Sequence, residues 1–320
     1  NLQTLLTTKA SRCVWAAPGR IISDFASRRT QGIDAALKMA RCSYIGGFQS
    51  TSNVLAAKRY GIPPAGTMAH SFVSSFATEL EAFRAYAQAF PDRAILLLDT
   101  YDTASGAHRA ARVAKEMESR GHRLVGVRLD SGDFDSLSRQ VRLILDDAGL
   151  DYVRIVASGG LDEFELETLS KANAPIDIYG VGTKAGVSAD APWTDIAYKL
   201  VCYDGRPVMK LSEDKVSMPG PKQVFRFTES EGSADKFVED VIGLEDETIN
   251  GAEPLLTKIM DGGRLSGPHP TITQIRERFA QDFAKLEDKH KALVDPPEYP
   301  VSTSQGLQRL TTEVSQELSS

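Results

Sequence analysis

His70, Asp99, Arg128 and Asp130 are the side chains whose types and placement can do chemistry in this sequence. Each closes or nearly closes a short β-type run: Ala65–Met68 leads to His70 with Ser71, Ala94–Asp99 to Asp99 with Thr100, and Leu124–Asp130 carries Arg128 and Asp130. A histidine whose tautomer is held by a carboxylate is a nucleophile or proton carrier. A guanidinium suits a planar anion. Residues two apart on a strand face the same side, so Arg128 and Asp130 serve one place. Two further runs end in Ser158 with Gly159 and Gly160, and in Gly182 with Thr183, where backbone N–H groups can cradle a phosphate. Each residue also has a plain alternative. A lone strand-end histidine is usually structural, Arg128 makes an ordinary salt bridge, and Asp99 or Asp130 caps a helix, although Asp133 is better placed than Asp130 for that cap.

The stretch Gly46–Val73 concentrates such features. Gly46 and Gly47 leave backbone room at the end of a run, Tyr44–Gly46, read as a strand. Thr51 or Ser52 is expected to cap a helix over Asn53–Tyr60, and after Pro63-Pro64 a second strand delivers His70 and Ser71 at its carboxyl end.

The elements that must position these residues alternate. Strands are expected at Arg20–Phe25, Tyr44–Gly46, Ala65–Met68, Ala94–Asp99, Leu124–Asp130, Tyr152–Ser158 and Ile176–Val181. Helices are expected at Ile33–Arg41, Thr51–Tyr60, Ser71–Phe90, Ala107–Arg120, Phe134–Ala148 and Asp162–Ala172. Such alternation specifies a parallel sheet with crossover helices, here an irregular or incompletely closed (α/β) barrel with its polar residues at the strand C-terminal ends. Past Tyr198 the texture changes to hairpins, with Asp204-Gly205 as one turn, and then to helices at Thr271–Glu287 and Gly306–Leu318. This reads as an α/β barrel domain over residues 16–200 and a smaller hairpin-plus-helix α+β domain over 201–320.

Composition narrows the partners. A chain of 320 residues with net charge −6 and no Lys/Arg-rich run is not built for nucleic acid, so a phosphorylated ligand needs a local basic pocket. Three scattered cysteines, Cys13, Cys42 and Cys202, read as reduced thiols of a cytoplasmic protein. No apolar run reaches membrane-spanning length, and no signal peptide is recognised. The chain opens on Asn1, with Leu2–Cys13 already helical in pattern. A preceding segment is therefore expected, packing on that helix and on the C-terminal helices and, with residues 1–15, joining the two domains.

Taken as one string, GGFQSTSNVLAAKRYGIPPAGTMAHSFV (Gly46–Val73) resembles nicotinate phosphoribosyltransferase. So do DFASRR (Asp24–Arg29), LLLDTYDTASG (Leu96–Gly106), GVRLDSGD (Gly126–Asp133), YGVGT (Tyr179–Thr183) and MKLSEDKVSMPGPKQVFR (Met209–Arg226), in the family's order. The resemblance implies a type II phosphoribosyltransferase barrel. It also implies an enzyme of NAD biosynthesis that forms nicotinate mononucleotide and pyrophosphate from nicotinic acid and phosphoribosyl pyrophosphate, with ATP and Mg²⁺, as a homodimer with shared sites.

It assigns roles residue by residue. His70 would be the histidine phosphorylated from ATP, with Asp99 orienting its imidazole. Arg128 would pair with the nicotinate carboxylate, and Asp130 would hold ribose hydroxyls or Mg²⁺. Phe25 would stack on the pyridine ring, Arg28 or Arg29 would contact phosphate, and Ser52 and Ser71 would line the substrate. Gly159, Gly160, Gly182 and Thr183 would hold the 5-phosphate, and Lys210, Lys215 or Lys222 would reach pyrophosphate or ATP. Ala26 stands where the family more often has glycine. No Walker A string occurs, so ATP would use the phosphoribosyl site. Nicotinamide phosphoribosyltransferase, with an aspartate in place of Ser52, and quinolinate phosphoribosyltransferase are the alternative enzymes. An inactive interaction or regulatory fragment is another reading. A phosphate-binding barrel lyase is a further one, for which only Lys184 could supply a Schiff base.

Overall fold

A computed structural model describes residues 1–212, 215–232 and 234–320; Glu213 and Asp214, inside the Met209–Arg226 string, lie outside them. The chain forms two compact units, Asn1–Thr194 with Ile272–Arg276, and Asp195–Thr271 with Glu277–Ser320.

The first unit runs α1 (Leu2–Ala16), β1 (Ile21–Asp24), α2 (Ile33–Ile45), β2 (Ser50–Thr51), α3 (Val54–Tyr60), α4 (His70–Ser74), α5 (Glu79–Ala89), β3 (Ile95–Leu97), α6 (Thr103–Glu118), β4 (Gly126–Leu129), α7 (Phe134–Asp147), β5 (Arg154–Ser158), α8 (Glu163–Lys171), β6 (Ile178–Val181) and α9 (Thr183–Gly186). Its six strands form one sheet in the order β2-β1-β6-β5-β4-β3, and every pairing is parallel. Aliphatic side chains such as Ile22, Leu96, Leu97, Val127, Ile155 and Val181 are fully buried, because a parallel sheet is covered on both faces. The helices that cover it start at side-chain caps just beyond the strand ends. Asp102 accepts from Ser105 N–H, Asp133 from Asp135 and Ser136 N–H, and Asp162 from Phe164 and Glu165 N–H.

Four local expectations are corrected. Tyr44–Gly46 is not a strand: Tyr44 and Ile45 finish α2, and the edge strand is Ser50–Thr51. Ala65–Met68 forms no regular strand; a single bridge of Thr51 to Pro64 lays the preceding residues beside β2, and His70 begins helix α4. Ser71–Phe90 is two helices, broken where Thr78 and Glu81 form a capping box for α5. The cap of α3 is Asn53, not Thr51 or Ser52; Thr51 Oγ1 accepts from Asn53 N–H instead.

The parallel α/β class expected from the alternation is what is found. Among the described residues the edge strands β2 and β3 share no ladder, so backbone pairing leaves the sheet open at that seam. Residues 1–15 belong to the first unit. On the apolar face of α1, Leu5, Leu6, Ala10 and Cys13 are buried where α1 packs on α2 and α8, while Leu2 is exposed.

The second unit holds the hairpins β7 (Cys202–Tyr203)–β8 (Arg206–Pro207) and β12 (Met260–Asp261)–β13 (Arg264–Leu265). Its four-stranded sheet has the order β11-β9-β10-β14, from β9 (Lys222–Glu231), β10 (Ala234–Leu244), β11 (Ala252–Pro254) and β14 (Val301–Thr303). Helix α10 (Ile272–Lys285) precedes β14, and α11 (Gln305–Ser319) packs on β10 and buries Leu307 and Val314, so this C-terminal helix has its mate within the unit. Among the described residues no helix is long and apolar enough to cross a membrane.

Candidate active site

The carboxyl ends of the strands in the first unit open onto a cavity of about 790 Å³, a size suited to a small organic ligand. Of the expected residues, Phe25, Arg28, Ser52, His70, Ser71, Arg128, Asp130, Gly159, Gly160, Gly182 and Thr183 all line it.

At its centre is a charge network. Arg128, its side chain only 12% exposed, sends Nη2 to Asp130 Oδ1 at 2.7 Å and Nε to Ser158 Oγ at 2.8 Å. Its Nη1 donates to Thr67 Oγ1 and, at 3.2 Å, to the Met68 carbonyl. Nε and Nη1 are spent in these hydrogen bonds and Nη2 is engaged in the ion pair, so Arg128 as it stands can meet a ligand only through Nη2 and not with a two-pronged grip. Ser158 Oγ also donates to Asp130 Oδ1 at 2.5 Å. Burial disfavours the Asp130 carboxylate, but the Ser158 hydroxyl, the Arg128 guanidinium and His70 outweigh it and hold its pKa below the usual value.

His70 faces this network. Its Nε2 lies 3.5 Å from Asp130 Oδ2 and its Nδ1 lies 3.1 Å from Thr100 Oγ1. Behind it Phe72 packs on Phe76 and Tyr86, with ring centroids 5.0 and 5.7 Å away, which seats the short helix α4 on α5. Asp99 forms no hydrogen bond or ion pair with the His70 ring, contrary to expectation. Its Oδ2 accepts from Asp130 N–H at 3.0 Å and Ser131 Oγ at 2.6 Å, while its Oδ1 is buried with no partner among the described residues.

The wall opposite is built by β1 and β6. Phe25 lies flush on Gly180: a Cβ there would stand 2.6 Å from the ring, so only glycine gives the ring this seat. The Arg128 guanidinium carbon is 5.9 Å from the Phe25 ring centre. Ala26 in place of glycine is accommodated because its neighbour is Gly186, where a Cβ would come within 2.6 Å of the Ala26 methyl. Buried Asp24 braces both walls, accepting from Ala26 N–H at 2.8 Å and from Thr51 Oγ1 at 2.7 Å, while its carbonyl accepts from Ser52 N–H. Arg28 and Arg29 are exposed at the rim and unpaired among the described residues. Gly159 is held at φ +102°, with Asp130 O where a Cβ would be, and the N–H groups of Gly159, Gly160 and Gly182 meet no protein acceptor among the described residues. Those donors suit an anion.

Lysines are placed differently from expectation. Lys210 belongs to the second unit, where its N–H donates to Ser217 Oγ at 2.9 Å, and Lys222 spends its ammonium on the carbonyls of Met218 and Gly220. Lys184 is paired with Asp162, and that partner raises its pKa, the opposite of what a Schiff-base lysine needs. No cluster of metal-binding side chains occurs among the described residues. Asp130 alone therefore fits only an ion such as Mg²⁺ that arrives with phosphate oxygens of its own. Thr67 and Gly180 are contributors for which sequence reasoning had no role, although both sit in strings already singled out, and Thr100 and Ser158, noted only as strand-end residues, prove to be partners of His70, Arg128 and Asp130.

Comparison with known proteins points to one family. The model of the nicotinate phosphoribosyltransferase (NAPRTase) family matches residues 21–220, and that of the nicotinate phosphoribosyltransferase C-terminal domain matches residues 248–311. Nicotinate phosphoribosyltransferase pncB2 of Mycobacterium tuberculosis is 47% identical over 306 residues, which are 95% of this chain and 65% of that protein. The Bacillus subtilis nicotinate phosphoribosyltransferase is 37% identical over 95% of this chain and 67% of its own length. The crystal structure of human nicotinic acid phosphoribosyltransferase superposes with a TM-score of 0.85 at 29% identity, covering 98% of this chain and 74% of that one. The chain thus spans about two thirds of the length of the curated relatives it matches.

Proposed function

This chain belongs to the nicotinate phosphoribosyltransferase family, and on that premise we propose that it catalyses phosphoribosyl transfer to nicotinic acid. The carrying observation is one cavity that gathers His70, Arg128, Asp130, the Phe25 ring and two glycine loops with unspent N–H groups. In the reaction the pyridine nitrogen forms a bond to the anomeric carbon while the bond from that carbon to the pyrophosphate oxygen breaks. Positive charge develops on the ribose, and pyrophosphate leaves with the bonding pair.

The chain's own residues divide this work. Phe25 stacks on the pyridine, and the free Arg128 N–H with Ser52 receives the carboxylate. The N–H groups of Gly159, Gly160 and Gly182, with Thr183, hold the 5-phosphate, and Arg28 and Arg29 meet the pyrophosphate. Asp130 anchors the ribose hydroxyls beside the developing charge, which its carboxylate stabilises. Magnesium, when bound, would neutralise pyrophosphate charge, with Asp130 as the protein's contact to it. His70 takes a phosphoryl group from ATP on its imidazole, with ADP as the leaving group, and hydrolysis of that phosphohistidine is coupled to nucleotide formation. The working form is a cytoplasmic homodimer with shared sites. Free thiols at Cys13, Cys42 and Cys202 support the compartment, and exposed Tyr198, Leu200, Tyr203 and Val216 in the second unit offer apolar surface for association.

The test is product formation from phosphoribosyl pyrophosphate with nicotinate, nicotinamide or quinolinate, each with and without ATP, alongside sedimentation of the protein. Nicotinate mononucleotide from nicotinate alone, raised by ATP, is the expected result. Equal turnover of nicotinamide sinks the assignment, because the cavity has Ser52 and not an aspartate carboxylate at the position that would receive the amide.

A further inference from the structure

Two loops supply the unspent N–H groups of the cavity, Gly159-Gly160 after β5 and Gly182-Thr183 after β6. Neither loop is bonded to the other through its own residues. The strands before them are paired up to Ser158 opposite Gly180, and a second link lies just behind the loops, where Lys184 Nζ donates to Asp162 Oδ2 at 2.8 Å. Asp162 caps α8, which follows the first loop, and Lys184 follows Thr183 in the second. Neither lines the cavity. The Asp162 side chain is 15% exposed and that of Lys184 41%, so water screens the pair from the lysine side only. Despite burial, Lys184 holds the carboxyl of Asp162 below its usual pKa, and Asp162 raises that of Lys184, so both stay charged.

The same corner is anchored from outside. Glu163, fully buried at the first turn of α8, accepts from Lys9 Nζ at 2.5 Å and Arg12 Nε at 2.7 Å, both on α1. Lys9 also donates to Asp190, beyond α9, at 2.6 Å. The start of α8 and both flanks of α9 are therefore tied by charge to one another and to α1.

We propose that the Asp162–Lys184 pair is a brace that fixes the separation of the two glycine loops and so sets the affinity for the phosphorylated end of the sugar. It rests on the phosphoribosyl reading above, and both residues act as positioning residues with no ligand contact. A preorganised cradle loses less on binding than one whose loops must be ordered by the ligand.

The variants are Asp162→Asn, which keeps an oxygen to cap α8, Lys184→Met, which keeps the stem, their double and Lys184→Arg. Each is measured in the intact protein for KM of both substrates, for kcat and, by calorimetry, for ribose 5-phosphate affinity. The brace predicts that each single loss raises the KM for phosphoribosyl pyrophosphate and weakens ribose 5-phosphate by roughly threefold to fivefold. The double variant is no worse than either single one, Lys184→Arg is near wild type, and the KM for nicotinate stays put. A loss confined to Lys184→Met, with Asp162→Asn neutral, means that the lysine touches the ligand itself and overturns the proposal. Unchanged affinities, or both KM values rising with a fall in melting temperature, overturn it too. If the wild-type protein binds ribose 5-phosphate yet forms no nucleotide, the functional reading fails, and the calorimetric comparison still decides the brace.

Discussion

His70 Nε2 lies 3.5 Å from Asp130 Oδ2, and the carboxylate there is held ionised by Ser158 and Arg128. An ionised oxygen at that distance favours the tautomer with hydrogen on Nε2. Nδ1 is then the lone-pair nitrogen, with the Thr100 hydroxyl donating to it at 3.1 Å. Phosphorylation of His70 is accordingly expected on Nδ1 and is sensitive to Asp130. His70→Ala abolishes labelling from [γ-³²P]ATP, Asp130→Asn cuts its rate by at least about tenfold, and Thr100→Val slows it less. Asp99→Asn should retain labelling, because Asp99 bonds the backbone beside Asp130 and not the imidazole. Labelling lost with Asp99→Asn and kept with Asp130→Asn reverses the assignment.

Arg128 joins substrate recognition to the same network. Arg128→Ala removes one charge-assisted bond to the carboxylate, worth about 1.5–3 kcal/mol, and should raise the KM for nicotinate roughly 10–150-fold. It also unties Asp130 and Thr67, so kcat should fall along with the rise in KM. Arg128→Lys should rescue little, since a single ammonium cannot reach Ser158, Thr67 and Asp130 together. Steady-state kinetics on both variants check this.

Gly180 sets the seat of Phe25. In Gly180→Ala the new methyl meets the ring at 2.6 Å and tilts it into the cavity. Such overpacking costs about 1–3 kcal/mol, and nicotinate affinity should drop accordingly. Phe25→Leu in the same chain relieves the clash, so the double variant should lose less than the sum of the two changes. Strict additivity means that the two residues do not act through one another.

The pH dependence of stability follows from Asp130. Its folded pKa lies below the unfolded one, so between the two the unfolded chain binds more protons and stability rises with pH. The contribution is complete above the ordinary aspartate value of 3.8 and is lost as pH falls through the folded pKa. The gap in urea midpoint between wild type and Asp130→Asn should therefore be widest near neutrality and shrink below about pH 4. A constant gap from pH 3 to 7 rules out this linkage.

Much of the frame was legible because apolar runs such as Ile95–Leu97 and Gly126–Leu129 are followed by capping residues. Asp133, better placed than Asp130 for a cap, does cap α7. Tyr44 and Ile45 misled because their side chains favour strands, while the helical repeat of α2 simply continues through them. The site residues were legible as a set but not in their pairings. The register that sets Leu97 beside Arg128 brings Asp99 next to Asp130 on the neighbouring strand. Two adjacent carboxylates then divide the work, one bonding backbone and the other facing the imidazole. No spacing within either strand reveals which takes which part. The role of Gly180 was hidden for a similar reason, since its partner Phe25 lies on a different strand end.

The seam between the sheet edges has a consequence for how ligand and fold are linked. Where other neighbours are stitched by backbone ladders, residues 65–70 meet the ends of β3 and β4 through side chains, from Thr67 and Met68 to Arg128 and from His70 to Thr100 and Asp130. Most of those side chains also line the cavity. A ligand that grips Arg128 and Asp130 thereby tightens the least stitched join around the cavity, so occupancy and local cohesion rise together. Amide exchange over residues 65–70 should be fast in the empty protein beside that of β4 to β6, and should slow when the cavity fills.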